Sequence, residues 1–582
     1  MRPSTPGISD LSFTALRADG TVVDSFAFER TPDGVAATAG APVEAGIRVE
    51  LRASAATNEP GWLVPGVFYG ENRVEACTRI YPRYTPGRVD VARMESDAWS
   101  FRADRCATPA VFARGCALVT REESPIGQAG VGFAHVAGYP LLRLHFPYRE
   151  EPLRYDGSET PAPPDVRTYR WEAGERVELT FEVHGDEDRA RILRHLHGSS
   201  DDPSWVGIEE AARLAAHGLR RWHYRAEPAR LMETAAFDRD GIGACGDRDH
   251  MHVSWVSGVP YAYALLRHGL RVGDEESVEI AEAVIDAVAA ALTPGGTFWA
   301  QWKAGDGWTT GWHPDHTRLH ARTLADATLF MLRAAKLRDK PAWRSAARSN
   351  LDVVLRTQRD DGALPAAHHV ATGDAVSWDG TAGLAWIPAL VEADELDAAR
   401  RAGEYFATFD HWYGAPEDVD LAPTSEDGYG AVMAYVALED WETAKRAADW
   451  MLTFRYTYDV VFPQHTLLGA YGFRTRGADQ ASPVNQHLHS FGLVCLPEMV
   501  RLAQATGDEF YLGTTRENFA CFRQFIARAD GDFNAMRGMV PERFHQTDYV
   551  EAKGMVGPLS HAWSIGLLLY ACEAALEIPE LQ

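Results

Sequence analysis

The sequence predicts a mainly α chain with an all-β N-terminal domain: an antiparallel β-sandwich followed by an (α/α)6 barrel. Three observations lead there. Before residue 200, apolar and polar residues alternate with period two between Gly, Pro and Asp clusters. After residue 204, apolar residues recur at helical spacing of three and four. The helical segments also alternate in kind. Even-numbered ones open on polar aromatic clusters and then turn apolar and rich in Ala and Gly, while odd ones are amphipathic, as in AWRSAARSNLDVVLRTQ. A ring of buried helices wrapped by a second ring has this alternation, and its inner starts recur as repeats of one helical hairpin.

Taken in chain order, the strand signals come first. Ile47, Val49 and Leu51 alternate with polar residues, as do Leu142, Leu144 and Phe146, and then Val177, Leu179, Phe181 and Val183. The Pro-, Glu- and Asp-rich stretch 149–165 reads as a long loop. The expected division is a sandwich domain at 1–186, a linker at 187–204 and a catalytic barrel at 205–582. Twelve helical segments follow, near 205–220, 250–268, 274–292, 316–337, 341–357, 379–393, 395–408, 426–438, 440–455, 483–506, 508–528 and 558–577. Asp274 and the Ser482-Pro483 pair read as helix starts.

Composition narrows the function. The chain has 582 residues and a formal net charge of −25, which argues against nucleic acid or an anionic membrane as the main partner. No apolar run approaches the roughly 20 residues a membrane span needs. The start, MRPSTPGISDLSF, lacks a charged region followed by an apolar one, and the seven cysteines are odd in number and scattered. A cytoplasmic location is expected. No phosphate loop, GxSxG elbow or dinucleotide fingerprint stands in a strand–helix context, so no cofactor is expected. His316 and His320 have a spacing that can chelate a metal, but HExxH is absent and no metal is expected. The sequence leaves the oligomeric state open and admits a homo-oligomer.

Six clusters stand at the predicted inner starts, and a barrel would bring them to one end. They are GDRDHMH with Asp249 and His250, GWHPDHTRLH with Trp312, His313 and Asp315, SWDGTAG with Trp378 and Asp379, and PTSEDGYG with Glu426, Asp427 and Tyr429. SPVNQHLHS, with Asn485, His487 and His489, and PERFHQTDY…GPLSHAW, with Glu542 and His561, complete the set. Carboxylates and amides bind sugar hydroxyls, and Trp or Tyr faces cover the apolar side of a sugar ring, so the expected partner is a carbohydrate. Two aromatic loops, GGTFWAQW (295–302) and WLVPGVFYGENR (62–73), are expected at the rim, the second narrowing the barrel mouth.

This arrangement resembles the six-hairpin glycosidases, including bacterial glucoamylase-like enzymes and the disaccharide phosphorylases. RDHMHVSWVSGVPYAYALLRHG is similar to the family segment whose Arg-Asp pair grips sugar hydroxyls, which implies that role for Arg248 and Asp249. MVPERFH…GPLSHAW resembles the segment holding the catalytic base, which falls on Glu542. SWDGTAG takes the place of the acid Glu beside a Trp, so Asp379 stands where the family has Glu, a departure from its pattern.

The resemblance implies a glycoside hydrolase; the narrowed mouth favours an exo-acting one, and the sixth and twelfth helices, facing each other across such a barrel, favour inversion. Asp379 would be the acid and Glu542 the base, roughly 6.5–9.5 Å apart across the barrel. Arg248, Asp249, His250, Trp312, His313, Asp315, Trp378, Glu426, Asp427, Tyr429, Asn485, His487 and His489 would bind substrate. The alternative is a uronate lyase or sugar epimerase using His487, His489 and Tyr429 to move a proton on carbon.

Overall fold

The computed structural model describes residues 11–74, 77, 79–185, 189–197, 205–236, 249–412, 414 and 422–582. The described residues of 11–184 are built on strands that pair antiparallel, save Arg83–Tyr84 with Glu95–Ser96, which are parallel. The largest sheet runs Leu11–Leu16, Val43–Arg52, Tyr139–Phe146, Gly130–Val136, Ala98–Arg102, with Tyr169–Trp171 added beside Val43–Arg52. Its register explains the alternation in the sequence. Ile47 lies opposite Phe146, Val49 opposite Leu144 and Leu51 opposite Leu142, so both apolar triplets face one core. Trp99, Phe101, Phe133 and Trp171 fill that core.

The helical part contains α1 (Ile208–Gly218), α2 (Val259–Val272), α3 (Glu275–Ala289), α4 (Ala321–Leu337), α5 (Pro341–Thr357) and α6 (Trp386–Glu392). It continues with α7 (Leu396–Ala407), α8 (Ser425–Ala437), α9 (Trp441–Leu452), α10 (Leu496–Thr506), α11 (Glu509–Phe522) and α12 (Ala562–Ala575). The even helices close a ring: α2 packs on α4, then α6, α8, α10 and α12, which returns to α2. Each carries one outer partner, α3 on α2, α5 on α4, α7 on α6, α9 on α8, α11 on α10 and α1 on α12. This is an (α/α)6 barrel. Every residue of α12 is buried, as an inner helix apolar on all sides requires, whereas α7 buries only Ala398, Ala399, Ala402, Gly403 and Phe406. Asp274 caps α3, its carboxylate accepting from the Ser277 N–H.

The inner helices start later than the sequence suggests. The polar clusters before α2, α4, α10 and α12 form short strands: His250–His252, Arg318–His320, Asn485–His489 and Leu559–His561. Ser482-Pro483 is the turn between Asp479–Ser482 and Asn485–His489 and starts no helix. These strands pair with distant segments, 250–252 with 301–303, 318–320 with 367–369, and 559–561 with 234–236.

A buried charge network joins the two halves. Arg105 donates to Glu150 at 2.7 Å, to Asp548 at 3.0 Å and to Gln486 at 3.2 Å. Lys553 reaches Asp104 at 2.9 Å and Glu122 at 3.2 Å. Burial lifts the Glu122 carboxyl to about 7, with Lys553 opposing that rise. The 62–73 loop meets the barrel here but does not present its rings to the mouth. Trp62 stacks on Phe133 at 4.3 Å inside the β core, Phe68 is buried beside it, and Tyr69 stacks on Phe454 at 4.5 Å. In the other aromatic loop, Phe298 is fully buried and Trp302 packs on the Arg230 guanidinium. Among the described residues, no helix is long and apolar enough to cross a membrane.

Candidate active site

At the end of the barrel where the inner helices begin, residues from six segments meet. The floor is aromatic. Trp563, in the first turn of α12, stacks on Phe491 at 4.4 Å and 11°. Phe491 contacts Trp255 at 5.7 Å, Trp255 meets Trp312 at 5.9 Å, and Trp312 stacks on His252 at 5.1 Å. Arg322, in the first turn of α4, lies over Trp255 at 4.4 Å and over Phe491 at 5.3 Å. Its guanidinium pairs with Glu426 at the start of α8 and with Asp326 one turn along its own helix, at 3.4 Å. Burial works against the Arg322 charge, but Glu426 and Asp326 outweigh it and hold its pKa above the ordinary value. Burial raises the Asp326 carboxyl to about 6 against the pull of Arg322.

The histidines divide by their hydrogen bonds. Nδ1 of His252 accepts from the Ser254 N–H at 3.2 Å, which assigns the proton of the neutral ring to Nε2, facing Thr323 Oγ at 3.3 Å. Nδ1 of His489 likewise accepts from the Phe491 N–H at 3.1 Å, leaving Nε2–H toward Ser425 Oγ at 3.4 Å. In both rings the basic nitrogen is occupied. Burial brings each to about 3, Arg322 adding to the effect. His487 differs. It is 7% exposed and has no hydrogen-bond partner among the described residues. Burial, followed by the charge of Arg543, holds its pKa well below the imidazole range. Period-two alternation along Asn485–His489 puts Asn485, His487 and His489 on one face, while Gln486 turns back to Arg105.

Each glutamate at this end has a cationic or imidazole partner. Glu233, fully buried, lies 2.9 Å from His250 Nε2. Glu542 lies 3.3 Å from His561 Nε2 and 3.4 Å from Arg543 Nε, with its side chain 20% exposed. Glu426 is held by Arg322.

The remaining residues expected from the sequence fall elsewhere in the fold. Asp379 is exposed; it accepts from Ser377 Oγ at 2.8 Å, and no described contact ties it to the aromatic floor. Trp378 faces Arg359 at 5.9 Å, at the end of the outer helix α5. Asp249 pairs with Arg225 at 2.9 Å. Arg248 lies outside the described residues. His313 and Asp315 form a local turn. His313 Nδ1 accepts the Asp315 N–H, and Asp315 accepts from Thr317, which holds its carboxyl below the usual range. Thr424 caps the start of α8, its hydroxyl accepting from the Asp427 N–H at 3.2 Å and donating to the Asp427 carboxylate at 2.9 Å, and Tyr429 is buried further along the helix, where burial lifts its phenol. His320 faces the Gly414 carbonyl at 3.1 Å, and His316 is exposed. Among the described residues, no group of three His, Cys, Asp or Glu is placed to hold a metal ion. Arg322, Glu233 and the Trp255–Phe491–Trp563 floor were absent from the expected set.

No protein-family model and no curated protein matches the chain. Solved structures similar to it include a polysaccharide lyase at 8% identity, covering 96% of this chain and 91% of that one, with a TM-score of 0.46. A D-mannose isomerase is similar at 12% identity over 64% of this chain and 98% of its own, with a TM-score of 0.46. A GH76 α-mannanase from Bacteroides thetaiotaomicron is similar at 9% identity over 63% and 95%, with a TM-score of 0.41.

Proposed function

We propose that the barrel end is the active site of a carbohydrate-active enzyme that moves a proton at a sugar carbon, as an epimerase, isomerase or lyase does. His487 is the base. The supporting observation is the contrast between this ring and the acids around it. Hydrolysis by paired carboxylates needs one acid kept protonated, yet Glu233, Glu426 and Glu542 each face a cation or a histidine. His487 is neutral, unpaired and on the same strand face as Asn485. It takes a proton from a carbon beside a carbonyl or carboxylate. The electrons left on that carbon delocalise onto the adjoining oxygen, which Asn485 stabilises as a donor. The Glu542–His561 pair returns a proton. Return to the opposite face gives an epimer, return to the neighbouring carbon an isomer, and loss of a leaving group an unsaturated sugar. Trp312, Trp255 and Trp563 supply the faces on which the ring lies, and His250 binds hydroxyls at the edge.

Residues 1–186 we take as a β-sandwich domain, 187–204 as a linker and 205–582 as the catalytic barrel. A second reading is the inverting, exo-acting glycosidase, with Asp379 as acid, Glu542 as base and Asp249, His313, Asp315, Trp378, Asp427 and Tyr429 around the substrate. It is favoured by the ring order, in which α6, following Asp379, stands opposite α12, following Glu542. Incubating the protein with a panel of aldoses, ketoses and uronate oligosaccharides in D2O separates the two. Deuterium on carbon or a new ultraviolet-absorbing product supports proton transfer. Reducing ends released without either support the glycosidase.

A further inference from the structure

A second cavity lies away from the barrel floor, between the β half and α9. It measures about 490 Å3 and continues past the His411–Trp450 ring pair into a hollow of about 350 Å3. His411 and Trp450 stack at 4.8 Å and 25°, and Tyr69 stands edge-on to Trp450 at 4.9 Å. The size suits one or two sugar rings, and the stacked plates suit the apolar face of one.

The charges at this groove are unevenly matched. The Arg189 guanidinium donates to the Gly61 carbonyl and faces no carboxylate among the described residues. Burial, then the nearby Arg114, lowers its pKa. Arg446 lies over Trp412 at 4.9 Å and donates to the Ala407 carbonyl at 2.8 Å, again with no acid among the described residues. Lys445 adds a third cation, 3.7 Å from Glu442, whose side chain is 89% exposed. Of the other acids, Asp449 is taken by Arg194 at 3.1 Å and Tyr511 at 3.0 Å, Glu71 in the adjoining hollow pairs with Arg83 at 3.3 Å, and Asp410 adjoins His411. His411 senses the whole set. Desolvation by the groove walls lowers its pKa, Arg189 and Arg446 lower it further, and Asp410 opposes them. Two guanidinium groups that face no acid among the described residues therefore line the same groove as His411 and Trp450.

We propose that this groove binds a sugar bearing an anionic substituent, its ring on Trp450 and His411 and its phosphate or carboxylate on Arg189 and Arg446. The site is separate from the barrel floor, and it stands whether or not that floor is catalytic. Phosphate and carboxylate are read by the same guanidinium forks.

Calorimetric titration with glucose 6-phosphate, glucuronate and glucose tests it. Saturable binding of at least one of the two anionic sugars is expected, with glucose at least tenfold weaker. The tighter of the two anions names the substituent. Arg446→Gln, at an exposed side chain, should weaken binding at least tenfold, and added salt should weaken it too. His487→Gln, at the barrel floor, should leave it unchanged. Three results would overturn the proposal: neither anion binding, glucose binding as tightly, or Arg446→Gln having no effect. Loss of binding in His487→Gln would also overturn it, because it would place the anion at the barrel floor.

Discussion

Replacing Arg322 with Met should destabilise the barrel far more than an ordinary surface change. The guanidinium neutralises two largely but not fully buried acids, Glu426 and Asp326, and lies on Trp255 and Phe491. Breaking a buried pair from one side costs about 3–5 kcal/mol, because the abandoned charge has neither water nor partner. The lost cation–π contact adds about 0.5–2 kcal/mol, part of which the Met stem retains by packing on the same rings. Glu426→Gln in the same chain removes one stranded charge, and Asp326 can take a proton. The double variant should therefore lie within about 1 kcal/mol of the parent, with a coupling of at least about 2 kcal/mol. In Arg322→Met both acids have folded pKa values above their unfolded ones, so the protonated fold is favoured. The deficit should be small at acidic pH and grow as pH rises through neutrality. Urea unfolding of the four chains of the cycle, followed by tryptophan fluorescence at pH 5 and pH 8, measures this. Additive single effects, or a deficit that does not change with pH, would refute the reasoning.

Three further outcomes can be checked on the same protein. His487→Gln should lower turnover by about 10²–10⁴, the usual contribution of a general base, while the unfolding midpoint stays put because the ring makes no hydrogen bond among the described residues; a shifted midpoint with intact turnover would count against the assignment. Glu122, raised by burial from 4.5 to about 7, favours the folded state when protonated. Its contribution of about 3 kcal/mol is full below pH 4.5 and lost as pH rises to 7, so Glu122→Gln should flatten the fall in stability over that window, and an unchanged slope would remove Glu122 as its source. Asp379→Asn should change turnover less than about threefold, since the side chain is exposed and bonded to Ser377; a loss of about 10² or more, within the range of general acid catalysis, would favour the glycosidase.

Much of the barrel was legible because its signal is local. Apolar residues at three- and four-residue spacing mark the twelve helices of the barrel, and the contrast between AWRSAARSNLDVVLRTQ and WSIGLLLYACEAA separates outer from inner. The starts of the inner helices were misplaced for a physical reason. HMH and LSH become strands only through partners about 50 and 325 residues away, 301–303 and 234–236, and pairing at that range leaves no local mark. The aromatic loop at 62–73 shows a similar limit. Its composition reveals that it packs, but not that Trp62 turns to Phe133 in the β core. Arg322 is outside the expected set, although ARTLADATLFML holds a cue: Arg and Asp four residues apart on a largely buried helix. The clusters drew attention to the barrel end. They could not rank His487 above His489, because that difference rests on whether a backbone N–H already occupies the ring nitrogen.

The most direct test of the proton-transfer assignment is solvent exchange. The protein is incubated in D2O with the sugar panel, and mass and proton spectra are read for deuterium on carbon, alongside His487→Gln. Deuterium at a carbon next to a carbonyl or carboxylate, or an unsaturated product, is the expected result, and it should be absent from His487→Gln. Conversion of a glycoside to reducing ends with every C–H bond untouched, at equal rates in both proteins, would contradict the account and return catalysis to Asp379 and Glu542.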